Sequence, residues 1–205
     1  MSAAEELMAL MRARRSIRRF RSDPVPGESL CKLIEAASWA PSAGNRQDWV
    51  FTVVTSPEVR RRMADAVRKR WQEIIAANRD RAGIEEVEAY SSGFADFADA
   101  PVVTVVSARR VNEAQRAMLG DDAHAVVGSA ASAAMAAQNL MLAAHALSLG
   151  SCCMTGALAA REELSRIAGI GRRHEIVCLI ALGYPAEAPC APSRKDVAEI
   201  VRFVR

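Results

Sequence analysis

The chain has 205 residues, 51% apolar and 25% charged, a balance that excludes wholesale disorder and suffices for one buried core. Its formal net charge is only +3, yet residues 1–21 carry six arginines against Glu5 and Glu6, a local +4 that leaves −1 for the remainder. A basic end on a nearly neutral body suits nucleic acid, an anionic membrane surface or the phosphate of a small molecule, and it equally suits a solvated helix end.

The N-terminus, "MSAAEELMALMRARR", places acids first and bases last, with no apolar core segment and no small-residue cleavage site. It is a helix ordered to suit its macrodipole, not a secretory signal. Five cysteines (Cys31, Cys152, Cys153, Cys178, Cys190) form no CxxC pair and no metal-ligand spacing with His124, His145 or His174. Reduced thiols, a cytoplasmic location and no metal are the expectation. "SDPVPGES" at 22–29 reads as a turn. A second helix with Leu30, Leu33, Ile34 and Ala37 on one face follows and stops at "APSAGN", because the residue before Pro41 prefers an extended backbone.

"DWVFTVVT" at 48–55 has the β-branched and aromatic content of a strand. Ser56 then caps a helix whose first residue is Pro57, with Val59, Met63, Ala66, Val67 and Ile74 at helical spacing. Asn78 to Asp99 is polar, a mixture of helix and loop, and "PVVTVVS" at 101–107 is a second buried strand. Residues 125–150 contain no Asp, Glu, Lys or Arg, a length that would span a bilayer. Their serines, Gln138, Asn139 and His145, and the excess of alanine over leucine, favour a helix buried on all sides in a protein without a membrane span.

After "SCCMTGAL" come a short helix at 161–168 and a third strand, "EIVCLIALGY", at 175–184. The prolines of "YPAEAPCAPS" end it, and "RKDVAEIVRFV" closes the chain. Together these elements give an α+β fold, one domain over 1–205, with a variable excursion at about 68–98.

There is no GxxxxGK[ST], GxSxG, HExxH, or HxE with paired cysteines. "GIGRRH" at 169–174 lacks a third glycine and precedes a strand, so it reads as a loop. Cys152 and Cys153 read as two small buried apolar residues, since a disulfide between neighbours strains the backbone. What remains is a set of polar segments at the edges of apolar elements: "RRSIRRF" (14–20), "APSAGNRQDW" (40–49), "CMTGAL" (153–158) and "SRK" (193–195).

In this order, with "AAQNLMLAAHALSLG" before the third and "ALGYP" before the last, they resemble the nitroreductase family of FMN-dependent oxidoreductases over nearly the whole chain. The resemblance implies a homodimer with a central antiparallel sheet, FMN at the subunit interface, and the charge-free helix as the interface core. It assigns Arg14 and Ser16, with Arg15 between them, to the FMN phosphate, joined by Arg194 and Lys195 of "SRK". Arginine suits a phosphate dianion because it combines charge with bidentate geometry. Arg12, Arg19 and Arg21 match nothing in the pattern.

Arg18 falls where the family carries a basic residue near the flavin pyrimidine edge, where a fixed cation stabilises the reduced ring; pairing with Asp23 or another carboxylate is the plain alternative. Pro41, Ser42, Ala43 and Asn45 match a loop brought to the flavin by the partner subunit, with Gln47 orienting it. Asp48 departs from the proline common before the tryptophan. Met154, Thr155 and Gly156 match the turn whose backbone N–H faces flavin N5; Gly156 equally suits the start of a helix, and Thr155 stands where some members have glutamate. Trp71, Tyr90, Phe94 and Phe97 are candidate stacking groups for a substrate or members of the core.

The implied activity is ping-pong transfer from NAD(P)H through FMN to a nitroaromatic, quinone or activated alkene, with no nucleic-acid or membrane partner. A flavin-dependent oxidase, dehydrogenase or dehalogenase and a flavin-binding module without turnover stand as alternatives.

Overall fold

The computed structural model describes residues 2–110 and 124–204, and the side chains of 124–127, His124 among them, lie outside the described residues. Helix α1 (Ala3–Ala13) begins at a capping box, in which the Ser2 hydroxyl accepts from Glu5 N and the Glu5 carboxylate accepts from Ser2 N. Helix α2 (Gly27–Ser38) buries Leu33 and Ala37, with Leu30 and Ile34 packed beside them, which is the face the apolar spacing marks. Strand β1 (Trp49–Val54) leads to α3 (Pro57–Ala76), where the Ser56 hydroxyl accepts from Val59 N and Pro57 opens the helix, as the sequence indicates.

The 78–99 region holds a short helix, α4 (Ile84–Ser91), and a 3₁₀ turn at Asp96–Asp99. Strand β2 (Val102–Arg109) precedes the long helix α5 (His124–Ala146). Then come β3 (Gly150–Met154), a 3₁₀ turn at Gly156–Ala160, α6 (Arg161–Ile167), β4 (His174–Gly183) and α7 (Val197–Ile200).

The four strands form one antiparallel sheet in the order β1-β2-β4-β3. The "EIVCLIALGY" strand is therefore the fourth; "GSCCM" is a strand that its own short pattern does not announce. Central β2 is buried along Val102–Ala108 because both faces are covered. On one side Val102, Val106, Ile180 and Leu182 pack against α2 and α5. On the other, Val103, Val105 and Leu179 pack against α3, α6 and Phe97, which settles Phe97 as a core residue.

Helix α5 is not buried on all sides within one chain. Ala133, Ala136, Ala137, Leu140 and Ala144 face the core, whereas Ala131, Ala134, Met135 and Gln138 form an open stripe. Small residues on the covered face let the helix lie close to the sheet, and the absence of charge on the open stripe is not explained by packing inside the chain. Among the described residues no helix is long and apolar enough to cross a membrane.

Candidate functional site

Where α1 ends, Arg14 N still donates to Leu10 O (3.1 Å). The chain then turns extended and runs along the free edge of β3. Ile17 N donates to Ser151 O (3.0 Å), and Ser16 pairs with Ser151 in a parallel bridge. This close approach requires Gly150, since a Cβ there would lie 2.8 Å from the Ile17 Cβ. The arm covers a strand edge that would otherwise be open. Ile17 is buried, which turns Ser16 and Arg18 outward on either side of it.

A second set of bonds fixes the far end of the arm. Arg21 N donates to Tyr184 O (2.9 Å), and the Glu187 carboxylate accepts from Arg18 N (2.6 Å) and Arg19 N (3.0 Å). Those two amides, Arg18 first, hold the Glu187 carboxyl below the usual range. Glu187 was invisible as a site element in the sequence, because nothing local connects it to residues so distant along the chain.

The arginines differ. Arg15 turns its guanidinium onto the carbonyls of Arg12 (2.6 Å) and Arg14 (2.8 Å), closing the end of α1. Arg14 is half-buried, and its Nε is fully buried with no hydrogen-bond partner among the described residues. A buried donor left unpaired costs about 1–3 kcal/mol, so the position calls for an acceptor. Arg18 does not pair with Asp23, which is held by Arg21 at 2.8 Å. Its charge instead reaches Asp96 and Cys152.

Strand β3 carries Cys153 and Met154 to the turn. Cys152 is buried, as expected, but Cys153 is exposed. A hydrogen bond with the buried Cys178 thiol, aided by the Arg14 charge, lowers Cys153 to about 7 against the cost of its own desolvation. The same bond and burial push Cys178 up.

Thr155 is exposed, and Leu158 N donates to its carbonyl (2.9 Å), so the 3₁₀ turn starts at Gly156. The Trp71 indole N–H donates to Gly156 O (3.0 Å). A Cβ on Gly156 would stand 2.6 Å from the Phe94 ring. Trp71 and Phe94 are tilted at 55° with centroids 5.2 Å apart, and Tyr90 meets Phe94 edge-on at 5.0 Å. The excursion is thus built onto the turn.

The 41–47 loop is closed by its own bonds. Ser42 Oγ accepts from Gln47 N (2.9 Å), and the Gln47 amide donates to the Asn45 carbonyl (3.4 Å) and to Asn45 Oδ1 (3.3 Å). Gly44, Asn45 and Gln47 all have left-handed φ, at 60°, 52° and 51°, a conformation non-glycine residues hold only when surroundings impose it. Ala43 N donates to Ser132 Oγ (3.3 Å), which ties the loop to α5. Asp48 is drawn into an ion pair with Arg46 (2.8 Å), and Arg109 N donates to Asp48 O (2.8 Å), so β1 starts in register without a proline.

One chain therefore brings the 14–18 arm against β3, whose end leads into the 154–156 turn. Among the described residues no hydrogen bond or ion pair joins the 41–47 loop, with its exposed Pro41, to either of them. Arg194 and Lys195 are exposed, and among the described residues the Arg194 guanidinium donates only to Ser193 O (3.1 Å).

The model of the "Nitroreductase family" matches residues 11–184. The chain is 33% identical over 200 residues to a protein called "NADH dehydrogenase" from Thermus thermophilus, covering 92% of this chain and 91% of that one. Its fold superposes on a BluB-like flavoprotein from Clostridium difficile with a TM-score of 0.87 at 26% identity, over 97% of this chain and 99% of the other. It also superposes on a nitroreductase with bound FMN from Bacteroides fragilis, with a TM-score of 0.73 at 22% identity, over 98% and 99% of the two chains.

Proposed function

The chain belongs to the nitroreductase family and is an FMN-dependent NAD(P)H oxidoreductase, and from that premise we propose that it works as a homodimer in two alternating half-reactions. With FMN bound, the donor would reduce it and leave, and a nitroaromatic, quinone or activated alkene would then take its place. Bound FMN supplies, at N5, the atom that accepts and returns the hydride.

The observation that carries this reading is the buried Nε of Arg14 beside an outward-facing Ser16 and Arg18, with neither that Nε nor the Arg18 guanidinium paired among the described residues. Such a group fits a phosphate, whose oxygens accept both charged and hydroxyl donors. Arg14, Ser16 and the backbone at Arg15 bind it; Arg194 and Lys195 add charge over it. Arg18 stabilises the negative charge the ring gains on reduction. Met154, Thr155 and Gly156 would present backbone N–H groups to the ring, while the space a Gly156 side chain would need is taken by Phe94.

Pro41, Ser42, Ala43 and Asn45 serve the site of the second copy, and Gln47 holds their loop in shape. The loop's lack of bonds to the arm and turn of its own chain supports that exchange. So do the uncovered apolar residues: Trp39 is 81% exposed, Phe203 80%, and Met135, Leu7, Met8 and Met11 are also open. A sequence with no separate dinucleotide-binding motif supports one site used in turn by donor and acceptor. Initial rates measured while NADPH or NADH and 1,4-naphthoquinone are varied together test this: parallel double-reciprocal lines are expected, and intersecting lines contradict it.

A further inference from the structure

We infer that Glu187 is a positioning residue that acts on the flavin through Arg18, one of its carboxylate oxygens fixing the piece of arm from which the Arg18 cation extends; the inference rests on the reading that Arg18 stabilises the charge the bound ring gains on reduction. Arg18 is exposed, and among the described residues its guanidinium makes no hydrogen bond or ion pair. Its place is therefore set by its backbone.

That backbone is pinned on either side of Arg18. Upstream, Ile17 N donates to Ser151 O (3.0 Å), with the Ile17 side chain buried against Gly150. Downstream, Arg21 N donates to Tyr184 O (2.9 Å), and Phe20 forms a bridge with Pro185. Between the two pins, the one hydrogen bond of the Arg18 backbone among the described residues runs from its N–H to Glu187 Oε1 (2.6 Å). The same oxygen accepts from Arg19 N (3.0 Å), and Ala186 N returns a bond to Arg19 O (2.9 Å).

Glu187 thus meets a segment with two arginines and bonds their amides. Among the described residues it forms no ion pair with any guanidinium. Bonds to an ionised acceptor are among the stronger hydrogen bonds, and here they leave the Arg18 charge unpaired. A charge acts on its target in inverse proportion to distance, so a loose 18–19 backbone would spread the cation over many positions and dilute its effect. A group that stabilises developing charge must be in place before the charge appears. The charge of Glu187 itself works in the opposite direction, because a carboxylate near the ring disfavours reduction. Position and charge are therefore separable by the sign of the change.

The test measures the two-electron midpoint potential of FMN bound to the wild type, Glu187→Ala, Glu187→Gln, Arg18→Ala and the double variant Arg18→Ala/Glu187→Ala. If Glu187→Ala does not fold, Glu187→Asp, whose oxygen falls a methylene short of the amides, takes its place. Arg18→Ala is expected to lower the ratio of reduced to oxidised flavin at a fixed potential about tenfold, which is about 30 mV for a two-electron couple. No change there removes the Arg18 reading, and the proposal with it. With that drop in hand, Glu187→Ala should lower the ratio several-fold, and the double variant should match Arg18→Ala. Glu187→Gln keeps an oxygen for both amides and should stay within about twofold of the wild type. A Glu187→Ala potential at or above that of the wild type overturns the proposal, as does a Glu187→Gln potential equal to that of Glu187→Ala. Additive shifts in the double variant also overturn it, because they mark a general loosening of the arm and not an action through Arg18.

Discussion

Arg14 stands at the boundary of the core with one nitrogen sealed from water and unpaired among the described residues. Hydrogen bonds to charged groups contribute about 1.5–3 kcal/mol each, so Arg14→Ala should weaken FMN binding by about tenfold to a hundredfold while the circular dichroism and thermal midpoint stay close to wild type. A fluorescence titration showing unchanged FMN affinity would remove Arg14 from the phosphate site. Cys153 offers a second test at this scale. Its thiolate is the reactive form, and with a value of about 7 that form grows as pH rises through neutrality. Alkylation of Cys153 by iodoacetamide should therefore be half-maximal near pH 7, with Cys178, pushed up by the same hydrogen bond, unmodified over that range. A midpoint at about 8.5, the ordinary thiol value, would mean that the thiol pair does not form.

At the scale of elements, two glycines decide how segments meet. Gly150 admits the arm and Gly156 admits Phe94. Gly156→Ala forces the Phe94 ring or the turn to move, an overpacking that costs about 1–3 kcal/mol. Thermal unfolding should register the loss, and the Trp71 fluorescence should shift as its bond to the turn is disturbed; an unaltered midpoint and spectrum would show that the ring yields freely. The same scale separates what was legible from what was not. Ser56–Pro57, the apolar spacing of α2 and the β-branched runs of β1 and β2 are local signals, and the elements form where those signals place them.

Strand β3 escaped because five residues beginning Gly-Ser carry little strand preference of their own; pairing with β4 creates it. The candidate site residues were named through resemblance to a family motif, and only the arm and the turn are brought into relation by one chain. Glu187 and the Trp71 bond to Gly156 depend on contacts between residues far apart in sequence. The internal closure of the 41–47 loop follows from left-handed backbone at Asn45 and Gln47, which side-chain identity alone does not prescribe. Asp48, which breaks the family pattern, is neutralised next door by Arg46.

For the whole molecule, the covered and open faces of α5 define the next expectation. Its open stripe at Ala131, Ala134, Met135 and Gln138 carries no charge, and the proposed second copy covers it. Met135→Glu should shift sedimentation from dimer toward monomer and release FMN, because the 41–47 loop would leave the neighbouring site. A variant that remains dimeric and keeps its flavin would place the interface elsewhere.

The most direct test of the central claim is the visible spectrum of the purified protein incubated with FMN and desalted, followed by anaerobic addition of NADPH or NADH. The account predicts retained flavin bands that bleach on addition of the donor. A protein that emerges colourless, or whose flavin bands persist in the presence of both donors, would contradict it.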